Sequence, residues 1–207
     1  MAWLDAAVDL LSGMSWLEAA GALTGLLCVW LTTRQSLWCW PMGILNAALF
    51  LALFMEVRLY ADAGLQVVYV ALSIYGWWRW LHPGEQRAAL PVTRITPRLA
   101  ALLGTLTVTT AAVMGAALVR WTDASLPYWD ATTTALSLTA QYLLARKVLE
   151  SWALWIAVDV LSVGIYLAKD LALTAGLYVI FLCLAARGLY AWRRSMGGGA
   201  GLARRTS

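Results

Sequence analysis

Predominantly apolar stretches of roughly 17 to 22 residues, enough for a helix to cross a hydrocarbon core of about 30 Å, recur seven times along this chain. They fall at about 16–31, 41–56, 60–80, 99–119, 129–145, 151–168 and 171–192. No Gly/Ser linker or long polar segment separates them, so residues 1–207 read as one all-α, polytopic membrane domain with seven transmembrane helices. Composition agrees: 62% of residues are apolar by type and the mean hydropathy is +0.71, which leaves too little charged surface to cover a water-soluble domain of this size. The stretch from Ser195, with Gly197 to Gly199 and Arg204 and Arg205, reads as a disordered cytoplasmic tail (195–207). Residues 1–15 hold Asp5 and Asp9 and no basic residue, unlike the positive start of a cleaved signal peptide.

Charge sets the expected orientation. Alternating the connections between two sides puts Arg58, Arg120 and Lys169 with the N-terminus. The other side receives Arg34, Arg79, Arg87, Arg94, Arg98, Arg146, Lys147, Arg193, Arg194, Arg204 and Arg205. Basic residues concentrate on cytoplasmic connections, so the N-terminus is expected outside and the C-terminus in the cytoplasm. The net charge of +4 then describes a basic cytoplasmic face and not a nucleic-acid partner. Cys28, Cys39 and Cys183 have unrelated spacings in or beside apolar runs, which favours buried small hydrophobes over a disulfide or metal framework.

The chain also matches itself. At an offset of 112, Leu59, Ala63, Gly64, Leu65, Val67, Gly76 and Trp80 meet identical residues at Leu171, Ala175, Gly176, Leu177, Val179, Gly188 and Trp192. At an offset of 113, Ala22-Leu23 meets Ala135-Leu136, Arg34 meets Lys147 and Asn46 meets Asp159, and a one-residue gap reconciles the two. The expected plan is 3+1+3: a first unit over 16–80, a linker helix over 99–119 that restores a parallel relation, and a second unit over 129–192. Parallel repeats of this kind hold solute at their interface near the bilayer midplane, which makes transport the leading functional class.

Polar residues inside the spans share faces. In the sixth span Trp152, Trp155, Asp159, Ser162 and Tyr166 step by three or four. A carboxylate at mid-bilayer costs about 3 kcal/mol, so Asp159 must look into the bundle interior towards a ligand, a proton or a partner. Arg187 is the embedded basic group that could serve as that partner. Trp155, one turn from Asp159, suits a platform for a flat or cationic ring; interfacial anchoring is the competing role, above all for Trp152. The third span aligns Asp62, Gln66, Tyr69, Ser73, Gly76 and Trp80, with Gln66 and Tyr69 the deeper candidates and Asp62 suited to the helix dipole. Gln141 shares a face with Thr134 and Ser137 in the fifth span, Asn46 stands alone in the second, and Tyr178 sits with Thr174 and Phe181 in the seventh. Interhelical hydrogen bonding is the rival role for each neutral group. Gly76 and Gly188 are expected to permit close, sliding helix contacts.

Several classes fall away. A hydrolase needs an activated nucleophile or metal ligands, and the sole histidine, His82, lies in a connection beside Pro83. A retinal protein needs a Lys within its last span, and there is no GxxxxGK[ST] loop for ATP coupling. No enzymatic activity, metal or cofactor is expected. A solute-binding subunit of a multi-component importer stays open beside an autonomous carrier.

Four segments, WCWPMGILNAALF (38–50), LYADAGLQVVYVALSIYGWWRW (59–80), LPYWDATTTALSLTAQYLLARKVLESWALWIAVDVLSVGIY (126–166) and TAGLYVIFLCLAARGLYAW (174–192), together resemble the PnuC family of vitamin transporters, typified by nicotinamide riboside carriers. The resemblance spans nearly all the chain except the termini and much of the fourth span. It implies a homotrimer with a pathway in each protomer, a plan related to the sugar-carrying SWEET proteins, and facilitated diffusion with trapping by a cytosolic kinase. In that family two Trp three apart, followed by Asn four residues on, frame the pyridine nucleoside. Here the motif is Trp152, Trp155 and Asp159, and Asp in place of Asn leaves thiamine, then riboflavin, as alternative cargoes. Asn46, Gln66, Tyr69, Gln141 and Tyr178 carry over to the implied site.

Overall fold

A computed structural model describes residues 16–56, 58, 60–84, 89–123 and 125–203. Among these it forms seven helices: α1 (Trp16–Thr33), α2 (Cys39–Glu56), α3 (Tyr60–Leu81), α4 (Pro97–Trp121), α5 (Pro127–Ala145), α6 (Ser151–Ala168) and α7 (Ala172–Ala203). Start signals are local. Pro97 and Pro127 occupy first-turn positions where no amide hydrogen is needed, and the Thr96 hydroxyl accepts from Leu99 N–H at 3.4 Å. Inside the apolar runs, threonine hydroxyls are satisfied by their own helix, as Thr24 to Ala20 O (2.7 Å), Thr32 to Cys28 O (2.8 Å) and Thr107 to Leu103 O (2.7 Å).

Five of these helices, α1, α2, α4, α6 and α7, are long and apolar enough to cross a bilayer. The other two are the polar-faced ones: α3 and α5, 22 and 19 residues long, devote a face to groups such as Gln66, Tyr69, Ser137 and Gln141. Packing explains why. Six helices close a ring in the order α1, α2, α3, α5, α6, α7 and back to α1, while α4 lies outside against α5, joined to it by a Thr107–Thr139 hydroxyl pair at 2.7 Å. The polar faces point into the ring.

Two connections are built alike. Gln35 (φ 56°) and Lys147 (φ 57°) are left-handed, as are Arg58 (62°) and Asp170 (57°), a conformation that costs a non-glycine residue about 1–2 kcal/mol. The hydrogen bonds repeat too: Gln35 N–H to Thr32 O and Lys147 N–H to Leu144 O are both 2.9 Å, and Ser36 N–H to Leu31 O and Val148 N–H to Leu143 O are both 3.0 Å. Every one of these pairs is 112 residues apart, which corrects the register of 113 expected for the first two spans. Backbone geometry in the turn matches Lys147 to Gln35 and not to Arg34, and the same offset carried into α2 sets Asn46 against Val158.

Arg34, Arg79, Arg94, Arg146, Lys147 and Arg193 gather at the end of the ring that holds these α1–α2 and α5–α6 turns. At this basic end Trp40, Trp80, Trp152 and Trp192, none more than 5% exposed, form one layer. Trp40 meets Trp80 edge-on at 5.2 Å and Trp152 meets Trp192 edge-on at 5.4 Å, with Trp80 and Trp192 joined at 6.0 Å; such pairs contribute about 0.5–1.5 kcal/mol each beyond burial. Gly76 and Gly188 are the seats of this layer. A Cβ at Gly76 would enter the Trp40 ring, and one at Gly188 the Trp152 ring. The close contact at these glycines is thus with an indole and not a sliding helix backbone.

Helix α7 runs on to Ala203, so the segment from Ser195, expected to be disordered, is helical to that point. Ser195 donates to Trp192 O at 2.8 Å and accepts from the Gln35 amide at 3.1 Å, and Met196 packs on the indole layer; these contacts outweigh the low helix propensity of the glycines. Residues 1–15 and 204–207, including Asp5 and Asp9, lie outside the described residues. The cysteines differ in burial: Cys39 is buried and Cys28 half-buried, but Cys183 is exposed, against expectation, on the outer face of α7.

Gly188→Val should displace Trp152 and destabilise the folded protein by about 1–3 kcal/mol. Gly176→Ala, where a Cβ meets nothing within 4 Å, should leave the detergent melting temperature unchanged. A thermal-shift series on the two variants checks the contrast.

Candidate functional site

The ring encloses a cavity of about 400 Å³, within the range of small-ligand sites. All eight residues singled out from sequence line it: Asn46 from α2, Gln66 and Tyr69 from α3, Gln141 from α5, Trp152, Trp155 and Asp159 from α6, and Tyr178 from α7. Asp62 is exposed in the first turn of α3 and does not reach the cavity, as its helix-dipole role implies. Ser162 is buried and Thr134 half-buried, both outside the cavity wall.

Two of the eight are already engaged with protein. The Asn46 amide donates to Gly21 O at 2.6 Å and to Thr24 Oγ1 at 3.2 Å, pinning α2 to α1. Tyr69 and Ser137 hydroxyls lie 2.6 Å apart, linking α3 to α5. Ser137 donates to Thr134 O at 2.9 Å, so Tyr69 is the donor in its pair and offers a solute only acceptor capacity. Gln66 and Gln141 face the cavity with no hydrogen bond to described residues.

Asp159 is the site's acidic group. It is 4% exposed, and no ion pair or hydrogen bond to its carboxylate occurs among the described residues. Arg187 is not its partner: that side chain is exposed on α7. No Arg, Lys or His lines the cavity, and Asp159 is its single acidic wall residue.

Aromatic rings share the rest of the wall with small and aliphatic residues such as Ala47, Leu144 and Leu177. Tyr166 and Tyr178 stack at 5.2 Å with 25° between planes, and Phe181 meets Tyr178 edge-on at 5.9 Å. Trp155 is half-buried on the wall. Trp152 serves two environments, touching the cavity and also completing the buried layer with Trp192. Trp40 does the same from α2; sequence reading passed it over, although the 112 offset maps it onto Trp152. Phe50, Phe54 and Phe181 also line the cavity, and an apolar ring facing inward carries no sequence signal that separates it from one facing lipid.

The layer between cavity and basic end is dry. The indole N–H groups of Trp40, Trp80 and Trp152, the Ser151 hydroxyl and Arg79 Nε are buried without a hydrogen-bond partner among the described residues, each at a cost of about 1–3 kcal/mol. Trp192 alone of the four donates, to Thr32 O at 3.1 Å. Behind them the Lys147 side chain is buried with its ammonium 4.6 Å from the Trp80 ring centre. Desolvation holds this lysine below its ordinary pKa, opposed by a smaller influence of Cys39.

A chamber with amides, one carboxylate and aromatic rings in its wall, inside a ring of span-length helices, defines a membrane carrier of small solutes. The chain belongs to the family described as Nicotinamide mononucleotide transporter, matched over residues 15–194. It is 31% identical to the nicotinamide riboside transporter PnuC of Escherichia coli, over 88% of this chain and 87% of that one. It is 29% identical to the riboflavin/roseoflavin transporter RibM of Streptomyces davaonensis, over 93% and 92% of the two chains. A crystal structure of the vitamin B3 transporter PnuC superposes with a TM-score of 0.71 at 26% identity, covering 92% of this chain and 86% of that one. The chain is therefore a multi-pass membrane protein of a transporter family.

Asn46→Ala removes two bonds between α1 and α2 and should lower stability by about 1–2 kcal/mol. Gln141→Ala, which breaks no bond to described residues, should stay within about 0.5 kcal/mol of wild type. Chemical denaturation followed by far-UV circular dichroism distinguishes them.

Proposed function

We propose that this protein carries nicotinamide riboside into the cell across a bacterial inner membrane by facilitated diffusion, the cargo being trapped afterwards by a cytosolic kinase. Seven helices cross the bilayer with the N-terminus outside and the basic end in the cytoplasm. The plan is two parallel three-helix units, α1–α3 and α5–α7, joined by α4; the six-helix ring, the twinned turns and the paired Trp–Gly seats support it. The eight cavity residues form the cargo site, and the family resemblance extends the proposal to a homotrimer.

The observation that carries this reading is Asp159. A carboxylate shielded from water in a cavity with no basic residue is answered from outside the protein, by a proton or by a cation, and the pyridinium ring of nicotinamide riboside is a flat cation that can lie against Trp155. A neutral flavin, suggested by the likeness to RibM, would fill the aromatic wall yet leave the carboxylate to a proton. Thiamine, also a flat cation, is the second reading that this observation favours.

Calorimetric titration of the purified protein with nicotinamide riboside, thiamine and riboflavin, paired with uptake into liposomes, tests the assignment. Nicotinamide riboside should bind saturably. Trp155→Ala should weaken it about tenfold, and Asp159→Ala, which removes charge and hydrogen-bonding capacity together, by at least about tenfold. Saturable binding of riboflavin alone would overturn the assignment. Binding without liposome uptake would mark the chain as an importer's binding subunit.

A further inference from the structure

The basic end is closed by more than its indoles. The connection between α3 and α4 crosses to the α5–α6 turn, where Thr93 N–H donates to Lys147 O at 3.0 Å and Thr93 O accepts from Leu149 N–H at 2.9 Å, a parallel bridge of Thr93 with Val148. The Glu150 carboxylate then accepts Ile95 N–H at 2.9 Å and the Arg94 guanidinium at 3.4 Å. Leu90 and Val92 lie on the indole layer, and Ile95 packs on the cluster of Leu103, Leu143 and Val148. This strap ends at the turn from which the helix bearing Trp152 begins.

Among the described residues the twin turn has no such strap. Gln35 repeats the backbone of Lys147, but the bond its side chain makes is the exposed one to Ser195 at 3.1 Å. The closure is thus asymmetric: two backbone bonds, a carboxylate clamp and apolar cover on one side, and on the other two side-chain bonds, the exposed Gln35–Ser195 contact and the buried Trp192–Thr32 O bond. The strap's position also matters. The indole layer leaves three of its own N–H donors unpartnered, so hydrogen bonding within the layer does not hold it shut. By contrast the Arg94–Glu150 pair, with side chains 61% and 30% exposed, stands in reach of water and can exchange its partners cheaply.

We infer that residues 90–95 together with Glu150 are a latch on the inner end of the pathway, holding the α5–α6 turn and the Trp152 seat closed until it disengages and cargo leaves inward. The inference rests on the transporter reading, and Trp152, which faces both cavity and layer, is where cargo and latch meet.

Native Cys39, 2% exposed within the indole layer, reports on the latch without any cargo. In a Cys28→Ala/Cys183→Ala protein a maleimide should react slowly with Cys39. Glu150→Ala should raise that rate about tenfold, the equivalent of one charge-assisted hydrogen bond, while circular dichroism stays that of the folded protein. An unchanged rate overturns the latch.

A second arm replaces all three cysteines with alanine and introduces Thr93→Cys with Val148→Cys. Bridge partners of this kind lie about 4.8 Å apart, within disulfide range. Oxidation should cut liposome uptake at least about tenfold, leave calorimetric binding of nicotinamide riboside intact, and be reversed by dithiothreitol. Full uptake by the cross-linked protein overturns the latch. If Cys39 reactivity responds as expected but no vitamin binds, the cargo assignment fails and the latch stands.

Discussion

In hydrocarbon there is no water to take up a hydrogen bond, so every polar group a span carries must be answered by the protein or by what the protein holds. That constraint sorts this structure. Threonines bond back to their own helices, Asn46 to α1, Tyr69 to Ser137, and each bond fixes one helix against itself or its neighbour. What remains unanswered is grouped. Gln66, Gln141 and Asp159 face the cavity, where a solute can answer them, and a set of indole donors lies in the dry layer below.

The two groups do different things because of their chemistry. The cavity offers both donors and acceptors beside flat aromatic walls, which matches a ring that carries polar substituents. The layer is rich in donors, and its rings fill the space between them, so it excludes solute and water together. Glycine makes this possible at Gly76 and Gly188, where any side chain would occupy the volume of an indole. Trp40 and Trp152 belong to both groups, so a solute that moves either ring also moves the barrier.

Much of this was legible in the sequence because the bilayer imposes simple patterns. Span length gave α6 its bounds of 151–168 and α2 its end at residue 56, and helical spacing brought eight scattered polar and aromatic residues to one cavity. What escaped has physical reasons. The register of the first two spans depends on a left-handed residue at Gln35 and Lys147, and nothing in a Gln or a Lys announces that conformation. The helical course of residues 195–203 depends on tertiary contacts of Gln35, Ser195 and Met196, which outweigh a run of glycines. Arg187 was the plausible counter-charge for Asp159 by depth alone; rotation about α7 turns it outward. Phenylalanines facing the cavity are indistinguishable in sequence from those facing lipid.

The place of α4 bears on how such a ring could move. Its packing is on α5, and its first turn is tied through the strap to the α5–α6 turn, so α4 to α7 share contacts that α1 to α3 lack. The two halves of the ring meet along two seams, α3 with α5 and α7 with α1, and through the Trp80–Trp192 contact of the indole layer. At the first, Tyr69 bonds Ser137; at the second, Trp192 bonds Thr32 O. A rocking motion of one half against the other must pass through these seams, and both lie beside cavity residues. Because the strap's hydrogen bonds all run to the α5–α6 turn while Leu90 and Val92 lie on the indole layer shared by both halves, the engaged strap ties α4 to α7 together and resists a tilt of α1 to α3. Under the proposed orientation, inward opening then begins at the exposed Gln35–Ser195 contact, the least protected point on the basic end, and reaches the Trp152 seat only once the strap has let go.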